Sequence, residues 1–159
     1  MIIMTVEVGK KAPDFKLVDS KLKHKSLDDY KGSKTVLLFF PGAFTGVCTK
    51  ELCTFRDSMS KYNNLKAKVV GISVDQPFSL AQFAKENNLT FDLLSDATRE
   101  VSKKYDSLHE NFVNVPGLTA SKRSVFLLDG NGTVKFKWIS EDPGKEPDYA
   151  AIEKELAKF

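Results

Sequence analysis

Cysteine, histidine and arginine are all scarce in this chain of 159 residues, and each scarcity excludes something. Two cysteines and two histidines leave little to hold a metal. A structural zinc site needs four nitrogen or sulfur ligands, and Cys48, Cys53, His24 and His109 are scattered, with no C-x2-C and no H-x3-H spacing. No metal and no cofactor is expected. Long apolar runs are missing too. The longest, Val36 to Phe40, has the length of a strand and falls far short of the ~20 residues that span a bilayer. No membrane partner is expected. The N-terminal stretch Met1-Ile2-Ile3-Met4-Thr5-Val6 has neither the basic flank nor the cleavage pattern of a signal peptide, so the expected compartment is the cytoplasm. Charge of one sign is also lacking: 24 basic residues stand against 21 acidic ones, a net +3. A nucleic-acid binder gathers its basic residues on one stripe. The densest candidate here, Lys21 to Lys34, is diluted by Asp28 and Asp29 and reads as a solvated hairpin. No nucleic-acid partner is expected. Arginine occurs only at 56, 99 and 123 in a lysine-rich chain, so each guanidinium is worth a question, because its planar fork does what an ammonium cannot.

What is present is an ordinary globular composition, 42% hydrophobic and 28% charged. The length predicts one domain, 1–159, able to bury a core without disulfide staples. Apolar runs predict buried strands at Thr35–Phe40 and Ala67–Val74, and a short one at Phe91–Leu94. Leu52, Phe55, Met59 and Tyr62 recur at three and four, which predicts a helix from Cys48 to Leu65. Further helices are expected from Pro77 to Asn88, from Asp96 or Thr98 to about Leu108, and from Tyr149 to Phe159. Ser124–Leu128 and Thr133–Ile139 flank Asp129-Gly130-Asn131-Gly132, a hairpin signal. Asn111–Lys122 and Glu141–Asp148 read as loops. Strands alternating with helices, followed by a hairpin and a helix, predict a three-layer α/β architecture: a central mixed sheet with helices on both faces, in a thioredoxin-like arrangement.

The most informative stretch runs from Phe39 to Asp57, FFPGAFTGVCTKELCTFRD. A buried strand ends at Pro41, a short loop follows, and a helix begins near Cys48. In open α/β sheets, ligands bind beyond the C-terminal ends of the strands. Unpaired N–H groups and partial positive charge at a helix start favour a thiolate. Thr45, three residues earlier, carries a hydroxyl able to hydrogen-bond a small substrate. On these local facts alone, Cys48 also fits a plain buried cysteine. Glu51 reads equally as an orienting partner for an arginine and as a surface acid complementing the helix dipole. Arg56 reads as a brace for the site or an ordinary ion-pair partner. Phe44, Phe78 and Phe112 are candidates for a pocket rim. A Cys–His hydrolase requires a base within hydrogen-bond reach of the thiol, and nothing places His24 or His109 there.

Pro41-x-x-x-Thr45-x-x-Cys48 resembles the P-x-x-x-T-x-x-C signature of the peroxiredoxins. The resemblance extends through Ala12-Pro13-Asp14-Phe15, Val70-Gly71-Ile72-Ser73-Val74-Asp75, Leu94-Ser95-Asp96 and Arg123-Ser124-Val125-Phe126-Leu127-Leu128-Asp129. Cys53, five residues after Cys48, is similar to the bacterioferritin-comigratory (PrxQ-type) subgroup, while Pro41-Gly42-Ala43-Phe44-Thr45 also resembles the peroxiredoxin-5 group. The resemblance implies a thioredoxin-like fold and thiol-dependent reduction of hydrogen peroxide and organic hydroperoxides. It implies Cys48 as the peroxidatic cysteine, Thr45 and Arg123 as its activating partners, and Pro41 as the shield of the pocket. It further implies a Cys48–Cys53 disulfide, recycled by a thioredoxin-like or other dithiol reductant, in a monomer or homodimer. Two rival readings are a disulfide oxidoreductase, which places a C-x-x-C where this chain has none, and a non-catalytic scaffold retaining the fold.

Physical chemistry constrains this expected reaction. A thiol at the reference pKa of ~8.5 is about 3% ionised at pH 7. Full ionisation therefore yields at most ~30-fold, about 2 kcal/mol, and part of that is lost because a less basic thiolate is a poorer nucleophile. The larger effect must come from fixed donors that stabilise charge passing from sulfur to the leaving oxygen. Spacing adds a conformational demand. On a regular helix, residues 48 and 53 are separated by ~7.5 Å of rise and ~140° of rotation, which puts their Cα atoms ~8.6 Å apart. A disulfide wants them within ~7 Å. The turn between the cysteines must unwind before the bond can form.

Overall fold

The computed structural model describes residues 5–159; Met1 to Met4, part of the stretch read above as lacking a leader, lie outside them. The strands are β1 (Lys16–Asp19), β2 (His24–Ser26), β3 (Lys34–Phe39), β4 (Ala67–Ser73), β5 (Asp92–Ser95), β6 (Leu108–His109), β7 (Ala120–Ser121), β8 (Ser124–Leu128) and β9 (Val134–Ile139). The helices are α1 (Gly46–Asp57), α2 (Met59–Asn64), α3 (Pro77–Asn87), α4 (Glu100–Lys104) and α5 (Tyr149–Leu156). Seven strands form one mixed sheet in the order β2-β1-β5-β4-β3-β8-β9, and β6 and β7 pair separately. β3, β4 and β5 run parallel; β8 and β9 extend the sheet antiparallel on one side, and β1 and β2 on the other.

The apolar run in β3 has a simple cause. Successive side chains point to opposite faces, and both faces are covered. Val36, Leu38 and Phe40 join Leu52, Phe55, Tyr62, Leu80, Phe83, Ile152 and Leu156 in one core, so α1, α2, α3 and α5 cover that face. Leu37 and Phe39 join Val101 and Tyr105 of the α4 segment, with Phe15 and Phe126, on the other. A strand with no wet face has no alternation to show. At Gly71 in β4 the layers approach so closely that a Cβ would sit 2.8 Å from Leu93 Cδ2, 3.2 Å from Phe40 Cε1 and 3.4 Å from Leu52 Cδ1. Glycine there lets α1 settle on the sheet.

Several elements depart from the sequence expectation. The helix expected over Cys48–Leu65 is two helices, broken at Ser58 (φ −103°, ψ 10°). Asp57 and Ser58 are weak helix formers whose side chains compete with the backbone, and the break brings Tyr62 onto Phe55 at 5.4 Å between ring centroids. The helix expected from Asp96 or Thr98 starts at Glu100, because Asp96 reaches over the intervening residues to accept from the amides of Val101 (3.1 Å) and Ser102 (2.6 Å). The solvated hairpin read at Lys21–Lys34 is only partly so. Its strands are β1 and β2, closed by Asp19 Oδ1 accepting from the amides of Lys21 and Lys23. The loop expected at Asn111–Lys122 includes β7.

Candidate active site

β3 delivers the chain to Pro41, which is buried, and the following loop turns outward: Phe44 takes a left-handed backbone (φ 67°), and Phe44, Thr45 and Gly46 are exposed. Asp75, just past β4, pins this loop by accepting from the Ala43 amide at 2.8 Å and from Ser73 Oγ at 2.6 Å. Thr45 is the N-cap residue of α1, and its carbonyl accepts from the Thr49 amide at 2.9 Å. A helix starting there leaves the amides of Gly46, Val47 and Cys48 without intrahelical acceptors. They carry the positive end of the helix dipole at the start of α1, where Cys48 lies.

Cys48 lies in the first turn of α1 with no exposed surface. Arg123, the residue before β8, has its guanidinium against it: Nη2 donates to Cys48 Sγ at 3.3 Å. The antiparallel pairing of β3 with β8 explains the meeting, because Ser124 stands opposite Phe39 at the end of β3. Three further contacts fix the guanidinium. Nη1 donates to Glu51 Oε1 at 2.8 Å, and Nη2 and Nε donate to the Pro143 carbonyl at 2.7 and 3.2 Å. Arg123 and Glu51 are both buried, at 1% and 0% exposure of their side chains. Burial pushes the Glu51 carboxyl up to about 7, against the opposing pull of Arg123. Burial works against the Arg123 charge as well, yet Glu51 and Cys48 outweigh it and hold the guanidinium above its ordinary value. Among the described residues, Glu51 Oε2 has no hydrogen-bond partner.

The expected residues are therefore brought together unequally. Cys48 and Arg123 are in direct contact. Thr45 is exposed, and its hydroxyl donates to the Gly42 carbonyl at 2.8 Å rather than to the sulfur. Cys53 sits on the same unbroken helix as Cys48, half-buried, with its Sγ 3.6 Å from Asn87 Oδ1 at the end of α3. Both thiols are free. Arg56 faces away, binding Asp57 and the Asn87 carbonyl. Phe44, 52% exposed, stacks edge-on against Phe83, while Phe78 is exposed. His109 stacks against Phe112. Of the two readings open for Glu51, the buried partner of Arg123 is the one observed. Sequence reasoning missed Asp75, Asn87 and the Pro143 carbonyl. The Val70–Asp75 stretch already quoted for the resemblance was the available signal for the first; nothing marked the others.

A buried thiol in the first turn of a helix, with a clamped arginine against its sulfur, is an arrangement able to hold a thiolate. Residues 8–137 match the family model of the AhpC/TSA family. The chain is 37% identical over 148 residues to "Peroxiredoxin Q, chloroplastic" of Gentiana triflora, covering 92% of this chain and 66% of that protein. It is 36% identical over 137 residues to "Peroxiredoxin Bcp" of Bacillus subtilis (strain 168), covering 85% and 86%. The crystal structure of Peroxidoxin BcpB from Mycobacterium tuberculosis superposes with a TM-score of 0.81 at 30% identity, over 96% of this chain and 95% of that one. The chain belongs to the AhpC/TSA family and is a peroxiredoxin, a thiol-dependent peroxidase on a thioredoxin-like fold. No helix among the described residues is long and apolar enough to cross a membrane.

Proposed function

We propose that Cys48 is the thiol that reduces hydrogen peroxide and organic hydroperoxides, and that Cys53 resolves the oxidised product. The contact between Arg123 Nη2 and Cys48 Sγ at 3.3 Å carries this reading. The Cys48 thiolate attacks one peroxide oxygen. A sulfur–oxygen bond forms, the O–O bond breaks, and the departing hydroxide or alkoxide takes up a proton, leaving a sulfenic acid. Arg123 and the free amides at the start of α1 supply fixed donors for charge moving from sulfur to the leaving oxygen. Thr45 turns its hydroxyl from Gly42 to the peroxide when substrate enters. Pro41 walls the pocket beneath the loop, and Glu51 holds Arg123 in place.

The Cys53 thiol then attacks the Cys48 sulfenic acid. A disulfide forms and water leaves. A thioredoxin-like or other dithiol reductant returns both sulfurs to thiols. The whole cycle resides in one domain spanning 1–159, acting as a monomer or homodimer. A reducing compartment such as the cytoplasm suits an enzyme that begins each turnover with two free thiols. Purified protein with dithiothreitol is expected to consume hydrogen peroxide catalytically. Cys48→Ser abolishes consumption, and Cys53→Ser retains the first, stoichiometric turnover. Equal loss of that first turnover in both variants contradicts the assignment of roles.

A further inference from the structure

The segment after β9 makes two contacts near Cys48, one with Arg123 and one with α1. Its first contact is the Pro143 carbonyl, which accepts from both Nη2 and Nε of Arg123 and so sets the plane of the guanidinium. Its own turns are tightly bonded: Ser140 Oγ donates to the Asp142 carbonyl at 3.0 Å, and Asp142 accepts from the amides of Gly144 at 2.8 Å and Lys145 at 3.2 Å. The second contact is Glu146. Its Oε2 lies 3.1 Å from Lys50 Nζ, and its Oε1 accepts from the Tyr149 hydroxyl at 2.6 Å. Tyr149 in turn packs edge-on against Phe55 of α1. Lys50 lies between Cys48 and Cys53 on α1. One carboxylate thus joins the helical turn that separates the two thiols to the segment that clamps Arg123.

We propose that Glu146 is a positioning residue for the resolving step: its ion pair with Lys50 latches the first turns of α1 closed and sets how fast oxidised Cys48 leaves the Arg123 pocket for Cys53. This inference rests on the Cys48–Cys53 reading above. With the helix closed, the two Cα atoms stand ~8.6 Å apart, beyond disulfide reach. Unwinding residues 48–53 carries Lys50 away from Glu146, so the pair breaks in every catalytic cycle. While it holds, the sulfenic acid stays beside Arg123, where a second peroxide can add another oxygen and give sulfinic acid. Strengthening the latch slows resolution and exposes Cys48 to that loss; weakening it does the reverse. The Lys50 side chain is 71% exposed and that of Glu146 24%. A pair so placed is worth at most about 5-fold in an equilibrium, and salt screens it.

Glu146→Gln removes the charge but keeps an acceptor for Tyr149. After mixing with one equivalent of hydrogen peroxide, rapid quenching and mass spectrometry follow the Cys48–Cys53 disulfide. Glu146→Gln is expected to form it about 2- to 5-fold faster, and to need proportionately more peroxide to reach the Cys48 sulfinic acid. Lys50→Gln is expected to match it, and the double variant to be no faster than either. The charge swap Lys50→Glu with Glu146→Lys is expected to return toward the parent rate. Parent resolution speeds up between about 0.05 and about 1 M salt, and resolution in Glu146→Gln does not. Parent-like resolution in Glu146→Gln, an unchanged salt dependence, or additive effects of the two single variants overturns the latch. A parent protein that forms no Cys48–Cys53 bond at all overturns the underlying reading, and the latch with it.

Discussion

Arg123→Met separates what the arginine does for folding from what it does for chemistry. Its removal leaves the buried Glu51 carboxyl with no partner, because Oε1 loses its contact at 2.8 Å and Oε2 has none. Breaking a buried pair from one side costs about 3–5 kcal/mol, and here the cost depends on pH. In the parent, Glu51 is pushed from its ordinary 4.5 up to about 7. A carboxyl whose folded pKa is raised binds more protons folded than unfolded, so its contribution to stability falls as pH rises from 4.5 to about 7 and is then constant. Without Arg123 the folded value rises further and the fall continues. Above about 7 the variant therefore keeps losing stability relative to the parent, by at most about 1.4 kcal/mol for each pH unit. The assay is urea unfolding at about pH 6 and about pH 8.5 in a Cys48→Ser background, so that the sulfur beside Arg123 plays no part. Arg123→Met with Glu51→Leu is expected to recover most of the stability and lose the pH dependence. With Cys48 intact, the same double substitution stays about 10²- to 10³-fold slow on peroxide, the cost of one lost fixed donor. A stability gap that is constant from about pH 6 to about pH 8.5, or a double variant that regains peroxide reduction, contradicts these roles of Arg123 and Glu51.

Thr45→Val should slow peroxide reduction about 10²-fold at a pH where every variant is fully thiolate, so that the ~30-fold ceiling on ionisation does not contribute. Thr45→Ser should retain most of the rate, and parent-like kinetics in Thr45→Val would remove the hydroxyl from the reaction. Gly71→Ala forces a Cβ to within 2.8 Å of Leu93 Cδ2. Overpacking of this kind costs about 1–3 kcal/mol, to be read as a lower urea midpoint with an unchanged slope; an unchanged midpoint means that the layers yield without cost.

Much of the fold was legible because burial writes itself into composition. β3 is apolar throughout because it has no wet face, and the turn Asp129–Gly132 names its hairpin: Asp129 Oδ1 accepts from the amides of Asn131 and Thr133. The motif and the rarity of arginine marked Cys48, Thr45 and Arg123 as candidates; of these, Cys48 and Arg123 meet, while the Thr45 hydroxyl is held by the Gly42 carbonyl. Short pieces were not. β1 spans four residues and β6 and β7 two each, held by pairing rather than by local preference. The break at Ser58 cannot be seen in a period that continues on both sides of it. Glu51 shows why charge is ambiguous in sequence: a surface acid and a fully buried one are the same letter, and only the approach of β8 to α1 decides. The Pro143 carbonyl is beyond sequence reading altogether, being a backbone atom whose role depends on where a loop ends.

On the proposed reading, peroxide oxygen goes first to Cys48 and leaves as water when Cys53 closes the disulfide. Peptide mapping by mass spectrometry after one equivalent of hydrogen peroxide follows both sulfurs, on the parent and on each cysteine-to-serine variant. A Cys48–Cys53 disulfide is expected in the parent, added oxygen on Cys48 in Cys53→Ser, and no peroxide-dependent change in Cys48→Ser. Oxygen on Cys53 in Cys48→Ser at the parent's rate, or a parent that holds oxygen on Cys48 with Cys53 still a free thiol, contradicts it.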